Sequence, residues 1–351
     1  MRRSILAALV LAVAALALAV TAGCGGDEDE EGQPAGQAET AAEEQEAELA
    51  PIRLAFSTWN GYAGLVIGVE SGMFEDEGLD VRYTVIEDPV QRFNAFKAGE
   101  LDAIATTPDT FSRNYARGIE SVQVLGLDAS VGGDGIVAEK DITSVEQLEG
   151  QKVAVSEGST SQWFLAYVLD QQGLSLDDVE QVNLTSADAG AAFAAGRVPV
   201  AVTWEPWLTK AEQNPNGQVL VSTKDYPDII TDGVAFTPEF VEQNPETVTA
   251  FIRAYGKVMD SIEANPDEAF EHATEYLGQS VDEIKATLET VPLWTLEESQ
   301  EFYGTSEQPG RIYEIFTESA EFWESIGEIE ELPDAENAID PTFLNEVVGT
   351  K

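Results

Sequence analysis

The chain has 351 residues, 43% hydrophobic and 9% aromatic, enough apolar material for one large domain or two lobes. Its 65 Asp and Glu against 18 Lys and Arg give a formal charge of −47, which repels nucleic acid and anionic lipid and excludes both as partners. A single cysteine and a single histidine leave no disulfide, no metal-ligand spacing and no cofactor motif.

The first 24 residues read "MRRSILAALVLAVAALALAVTAGC". Arg2 and Arg3, an uncharged apolar run and small residues before Cys24 make residues 1–23 a secretory signal. "VTAGC" resembles the bacterial lipobox, in which cleavage is followed by lipid attachment to the cysteine thiol. Residues 4–23 are also long enough to span a bilayer uncleaved. Residues 24–50 carry no Lys or Arg and, apart from Leu49, no large apolar side chain. Such a segment cannot bury enough surface to offset chain entropy, and its like charges extend it. It is expected to be a disordered acidic tether.

From Ile52 strands and helices alternate. "IRLAF" (52–56) is a strand, "YAGLVIGVESG" (62–72) a helix with a glycine stop, and "LDVRYTVI" (79–86) a strand. "DPVQRFNAFKAG" (88–99) is a helix with Asp88 as cap, Pro89 at its first position and Gly99 past its end; Glu87 and Asp88 read as turn and cap. "LDAIAT" (101–106) is a strand and "TPDTFSRNYARG" (107–118) a helix capped by Thr107. The pattern resumes with "QKVAVSEG" (151–158), "STSQWFLAYVLDQQG" (159–173), "VEQVNL" (179–184), "DAGAAFAAG" (188–196) and "VPVAVTW" (198–204). Phe96, Ala98, Gly99 and Thr106 recur as Phe193, Ala195, Gly196 and Thr203, a faint internal echo at a constant offset of 97. The last third is helical, and residues 245–265 place Val248, Phe251, Ile252, Tyr255, Val258, Met259 and Ile262 on one apolar stripe. This is an α/β chain with mostly parallel sheets covered by helices.

The segments "GVESGMFEDEGLDV", "RFNAFKAGELDAIATTPDTF", "GGDGIVAEKDITSVEQLEGQKVAVSEGSTS", "DAGAAFAAGRVPVAVTWEPW" and "FTPEFVEQNPETVTAFIRAY", in this order and spacing, resemble the substrate-binding proteins of bacterial ABC importers, in particular the taurine, alkanesulfonate and nitrate group, whose relatives include pyrimidine-precursor binders. The resemblance implies a two-lobed type II periplasmic-binding-protein fold hinged by two crossover strands, expected near residues 135–138 and 233–236. Lobe I would then be residues 51–137 and 233–351, and lobe II residues 138–232. It also implies a monomer that carries a small-molecule ligand to an ABC permease with its ATPase, outside the cell membrane and held to its outer face only through the Cys24 lipid.

Ligand-binding loops of such proteins lie at strand C-termini. The matching segments here are "STWNGY" (57–62), "TTPD" (106–109), "GGDG" (132–135), "EGSTS" (157–161), "ADAG" (187–190) and "WEPW" (204–207), and none contains Lys or Arg. The expected contacts are Thr58, Trp59, Asn60, Tyr62, Thr107, Asp109, Asp134, Ser159, Thr160, Ser161, Asp188, Trp204 and Glu205. The hydroxyls and helix N-termini suit an anionic or acceptor group. The indoles and carboxylates suit an ammonium or amidinium. A taurine-like zwitterion satisfies both halves, a urea- or guanidine-like solute the acidic half, and a bare sulfonate or nitrate is less comfortable. A pyrimidine-synthesising enzyme class of the same fold relies on a cysteine-rich motif and an internal histidine. Here the cysteine lies in the lipobox and His272 on a late helix, so no enzyme is expected. A subunit that senses ligand for a membrane receptor would carry the same sequence features.

If the lipid is the only anchor, Cys24→Ala should move the protein from the membrane fraction to the soluble fraction. An unchanged membrane fraction would mean that the apolar segment stays attached as an anchor.

Overall fold

The computed structural model describes residues 49–349 except 228 and 306. The expected signal sequence, Cys24 and all but the last two residues of the expected acidic tether lie outside the described residues.

The described residues build two five-stranded sheets of the same design. The first contains β1 (Ile52–Phe56), β2 (Val81–Val85), β3 (Ala103–Thr106) and β4 (Val122–Ala129). The second contains β5 (Asp134–Glu139), β6 (Lys152–Val155), β7 (Glu180–Asn183), β8 (Val200–Trp204) and β9 (Gly217–Ser222), and the chain returns to the first sheet with β10 (Thr231–Phe236). The orders are β2-β1-β3-β10-β4 and β7-β6-β8-β5-β9. In each sheet one strand is reversed: β10 is antiparallel to both β3 and β4, and β5 to both β8 and β9. The remaining strands run one way, so both sheets are mostly parallel.

The reversed strands follow from the path of the chain. Each is the first strand made after crossing from one sheet to the other, and it enters its new sheet from the cleft. The crossings are therefore residues 130–133 and 223–230. The segments expected to be hinges, residues 135–138 and 233–236, lie inside β5 and β10 and are fully paired. Their short, apolar, Gly-flanked sequence belongs to buried central strands. The two crossings are tied together: the Ser130 and Thr223 hydroxyls are 2.8 Å apart, and Thr223 Oγ1 accepts from Gly132 N at 2.8 Å.

Helices cover the sheets. The ones that shape the cleft are α1 (Ala63–Glu70), α2 (Pro89–Lys97), α3 (Pro108–Ala116), α4 (Thr160–Asp170), α5 (Ser186–Ala194) and α6 (Trp207–Gln213). The internal echo falls on equivalent elements, α2 with β3 and α5 with β8. Phe96 and Phe193 are buried in their respective lobes, and Gly99 and Gly196 end the two helices at φ 72° and 67°, a left-handed turn that costs other residues energy. The long helix α7 (Pro245–Ala264) buries the predicted stripe from Val248 to Met259 against the first lobe, with Ile262 partly buried.

The last long helix, α8 (Arg311–Ser325), does not belong to lobe I alone. Ile312 and Phe316 join the first core, whereas Ala320, Trp323 and Phe322 pack with the second, where Phe322 meets Trp163 and Tyr167 at 6.4 and 6.2 Å. Arg113 of α3 lies 5.4 Å over Trp323 and pairs with Glu328 at 2.6 Å.

The cleft between the sheets is closed. Thr107 and Thr160 approach to 2.5 Å across it, and Trp59 and Trp204 meet edge to face at 6.2 Å. The cavity left is about 40 Å³, room for a few waters at about 10–15 Å³ each and too small for an organic solute to enter without the lobes parting. Scattering from the protein without solute should therefore show a larger radius of gyration than scattering with a saturating solute, one chosen because it raises the melting temperature. Equal radii would show that the lobes do not open.

Candidate functional site

The cavity lies where parallel strands end and reversed strands begin. Ser57, Trp59 and Tyr62 follow β1, and Glu87 and Arg92 follow β2. Thr106, Thr107 and Thr110 lie at the junction of β3 and α3. From the other lobe come Ser156, Ser159 and Thr160 after β6, Ser186 at the start of α5 and Trp204 at the end of β8. In open α/β sheets such strand ends are the usual ligand position. The two reversed strands present their first residues instead of their last. This puts Asp134 of β5 and Asp232 of β10 into the cavity wall from opposite lobes.

Of the residues expected from the sequence, the cavity wall thus includes Trp59, Tyr62, Thr107, Asp134, Ser159, Thr160 and Trp204. Thr107 is the N-cap residue of α3, as expected, but its hydroxyl is engaged with Thr160 across the cleft instead of with a backbone N–H. Thr58, Asn60, Asp109 and Ser161 are one layer back. Thr58 donates its backbone N–H and hydroxyl to Glu87 Oε1 at 3.1 and 2.5 Å. Asn60 pairs reciprocally with Gln279, and Ser161 bonds Ser186 at 2.8 Å. Asp188 is exposed and accepts from Thr185, an arrangement of the α5 N-terminus alone. Glu205 is buried but turns away from the cavity, its oxygens accepting from Thr209 N at 3.1 Å and Thr209 Oγ1 at 2.9 Å. It serves the N-terminus of α6, and "WEPW" contributes only Trp204 to the wall.

The expectation of a site without basic residues is corrected by Arg92. It belongs to the buried stripe Pro89, Arg92, Phe93 and Phe96 of α2 and is only 4% exposed. Its Nη1 donates to Ile86 O at 2.8 Å, and its Nε has no partner. Burial lowers its pKa, opposed by the negative potentials of Glu87 and Asp232; an arginine nonetheless keeps its proton. Two signals in the sequence pointed to it. An Arg in the apolar stripe of an amphipathic helix needs a buried partner. The offset of 97, applied to "ADAG" (187–190), lands on residues 90–93.

Acid still exceeds base. Glu87, Asp134 and Asp232 line the cavity with Arg92, and Asp128 and Asp109 are buried just behind. Glu87 Oε2, Asp134 Oδ2, Asp128 Oδ2 and Asp109 Oδ1 are buried without a hydrogen-bond partner. Burial pushes Asp134 up to about 8, against the Ser130 hydrogen bond and with help from Asp232, Asp109 and Glu205. Burial likewise raises Asp232 to about 7, although the Tyr62 hydroxyl donates to it. Asp128 faces Asp232 across β4 and β10 and is raised well above the carboxylate range, first by burial and then by Asp232; Trp59 Nε1 donates to it at 3.3 Å. Buried like charges this close cannot all ionise unless a cation joins them. Among the described residues no group of three or more His, Cys, Asp or Glu has the arrangement of a metal site.

The fold and cleft define a two-lobed solute-binding protein. Residues 59–269 match the model of the family described as NMT1/THI5 like, and the chain belongs to that family. A putative binding protein of Brucella abortus is 27% identical over 70% of this chain and 76% of its own. The riboflavin-binding protein RibY of Chloroflexus aurantiacus is 26% identical over 82% of each chain. The structure of the alkanesulfonate-binding protein SsuA from Xanthomonas axonopodis pv. citri, bound to MOPS, superposes with a TM-score of 0.70 at 17% identity, covering 84% of this chain and all of that one.

Glu205→Gln should lower the melting temperature, by the equivalent of about 0.5–2 kcal/mol for a weakened helix-terminal interaction, and leave solute affinity unchanged. A tenfold loss of affinity at constant stability in calorimetry would return Glu205 to the binding site.

Proposed function

We propose that this protein is the extracytoplasmic solute-binding lipoprotein of an ABC importer, and that it captures a small polar organic solute whose recognised end is cationic or rich in hydrogen-bond donors. The lobes close on the solute, and the closed form is what the permease receives. The protein acts as a monomer, held to the outer face of the cell membrane through Cys24, and catalyses nothing. Among the lining residues there is no His or Cys to act as base or nucleophile, and the relatives described above are named as binding proteins.

The observation that carries the ligand class is the set of carboxylates. Glu87, Asp134 and Asp232 line the cavity with one arginine, and Glu87 and Asp134 each keep a buried oxygen without a donor. An ammonium, amidinium or urea-like group supplies the missing donors and relieves the repulsion. Trp59 and Trp204 add aromatic surface, which attracts cations. Arg92 provides one seat for an acceptor at the other end of such a molecule, which keeps a nitrogen-rich zwitterion within the class. The relatives' named ligands, riboflavin and alkanesulfonates, differ enough that this selectivity has to come from the wall itself.

A thermal-shift screen of amines, amidines, ureas and sulfonates tests the assignment, since a solute that binds only the native state raises its melting temperature. The expected hits carry a cationic or donor-rich end. Their affinity should rise with pH between 6 and 8.5. Asp232 and Asp134, raised to about 7 and 8, hold protons at the lower pH that a cation must expel. Each proton released is worth up to about tenfold per pH unit. Asp134→Asn should weaken binding at pH 8.5 and flatten this dependence. Hits confined to sulfonates, or affinity that falls as pH rises, would overturn the assignment.

A further inference from the structure

Helices α3 and α4, one from each lobe, bring their N-termini together at the closed cleft. The Thr107 and Thr110 hydroxyls of α3 lie 2.5 and 3.2 Å from that of Thr160 at the start of α4. The positive ends of two helix dipoles and three hydroxyls converge there, an arrangement that attracts an oxyanion. In this chain a carboxylate of the protein is already present. Asp109, in the first turn of α3, is 1% exposed. Its Oδ2 accepts from Thr110 at 3.1 Å, its Oδ1 has no partner, and its backbone carbonyl is held by Trp323 Nε1 at 3.0 Å. Burial raises its pKa to about 6, while the hydroxyls of Thr107, Thr110 and Thr160 pull it back. At neutral pH it is therefore mostly ionised.

We propose that Asp109 is a specificity-determining residue that closes this site to anions: its carboxylate takes the electropositive junction of α3 and α4, where a sulfonate or sulfate group would otherwise be held. The inference rests on the acidic-cavity reading and adds its mechanism of rejection. Glu87, Asp134 and Asp232 attract a cation, whereas Asp109 repels the opposite class at the junction where the N-termini of α3 and α4 meet. Arg92 does not compensate, because it sits on α2 among Tyr62, Glu87 and Asp232.

The test measures ethanesulfonate and sulfate binding at pH 8 by calorimetry on the wild type, Asp109→Asn and Asp109→Ser. The wild type should bind neither anion measurably. Both variants should gain affinity for at least one, by about tenfold or more, the scale of removing one like charge at close range. Both remove a buried charge, so their melting temperatures without solute should match or exceed that of the wild type, which confirms that the site is intact. Stable variants that gain no anion affinity would overturn the role of Asp109 and leave the acidic-cavity reading standing. Tight ethanesulfonate binding by the wild type would overturn both.

Discussion

The organising constraint is the burial of carboxylates at the mouths of two reversed strands. Every crossing between lobes delivers the chain to the cleft end of a sheet, so the strand that follows must run against its neighbours. Its first residues, not its last, then meet the cavity. Asp134 and Asp232 occupy these equivalent places, and Asp128 backs Asp232 from the adjacent strand. Three buried acids on β4, β5 and β10 are costly in isolation. Around them stand the groups that make the cost bearable: Tyr62 and Trp59 as donors, and Arg92 as the counter-charge.

This arrangement makes closure and charge inseparable. With the lobes together, Asp134 from one side and Asp232 from the other line one small cavity, and Asp232 raises the proton affinity of Asp134. Under the proposed function a cationic solute reverses that penalty, water entering as the lobes part relieves it by a different route, and solute binding is coupled to lobe movement through desolvation. The helix α8 sets a limit on that movement, since its two ends pack into different cores and Arg113 of α3 rests on its Trp323. Any opening must bend or slide about this helix as well as about the two crossings tied by Ser130 and Thr223.

Affiliation with a family whose relatives are named for riboflavin and alkanesulfonates fits a fold in which the frame is constant and the wall varies. The frame is backbone: strand ends, helix N-termini and crossings. The wall is a handful of side chains on it, and in this chain most carry hydroxyls, with three carboxylates against one arginine as the charged members.

Much of the architecture was legible in the sequence because it is written in local chemistry. Strand and helix alternation, the Asp88 cap, the glycine stops at Gly99 and Gly196 and the stripe of α7 are short-range patterns, and the faint echo at offset 97 falls on equivalent elements of the two lobes. Loops at strand ends brought Trp59, Tyr62, Thr107, Asp134, Ser159, Thr160 and Trp204 to notice, and these line the cavity. What the sequence could not determine depends on direction and distance between segments far apart in the chain. The reversal of β5 and β10 is a property of pairing, so these strands read as hinges and Asp232 went unnoticed. Whether an acidic residue faces the cavity or its own helix is decided by a rotation of the side chain, which turned Glu205 to Thr209 and left Asp188 at the surface. The signals for Arg92 in the sequence, its place in an apolar stripe and in the internal echo, do not name its partners, and only burial beside Glu87 and Asp232 made it the buried cation of the site. Local interactions between neighbours in sequence define elements; long-range Coulomb and desolvation energies, which exist only once the lobes have formed and closed, define the site.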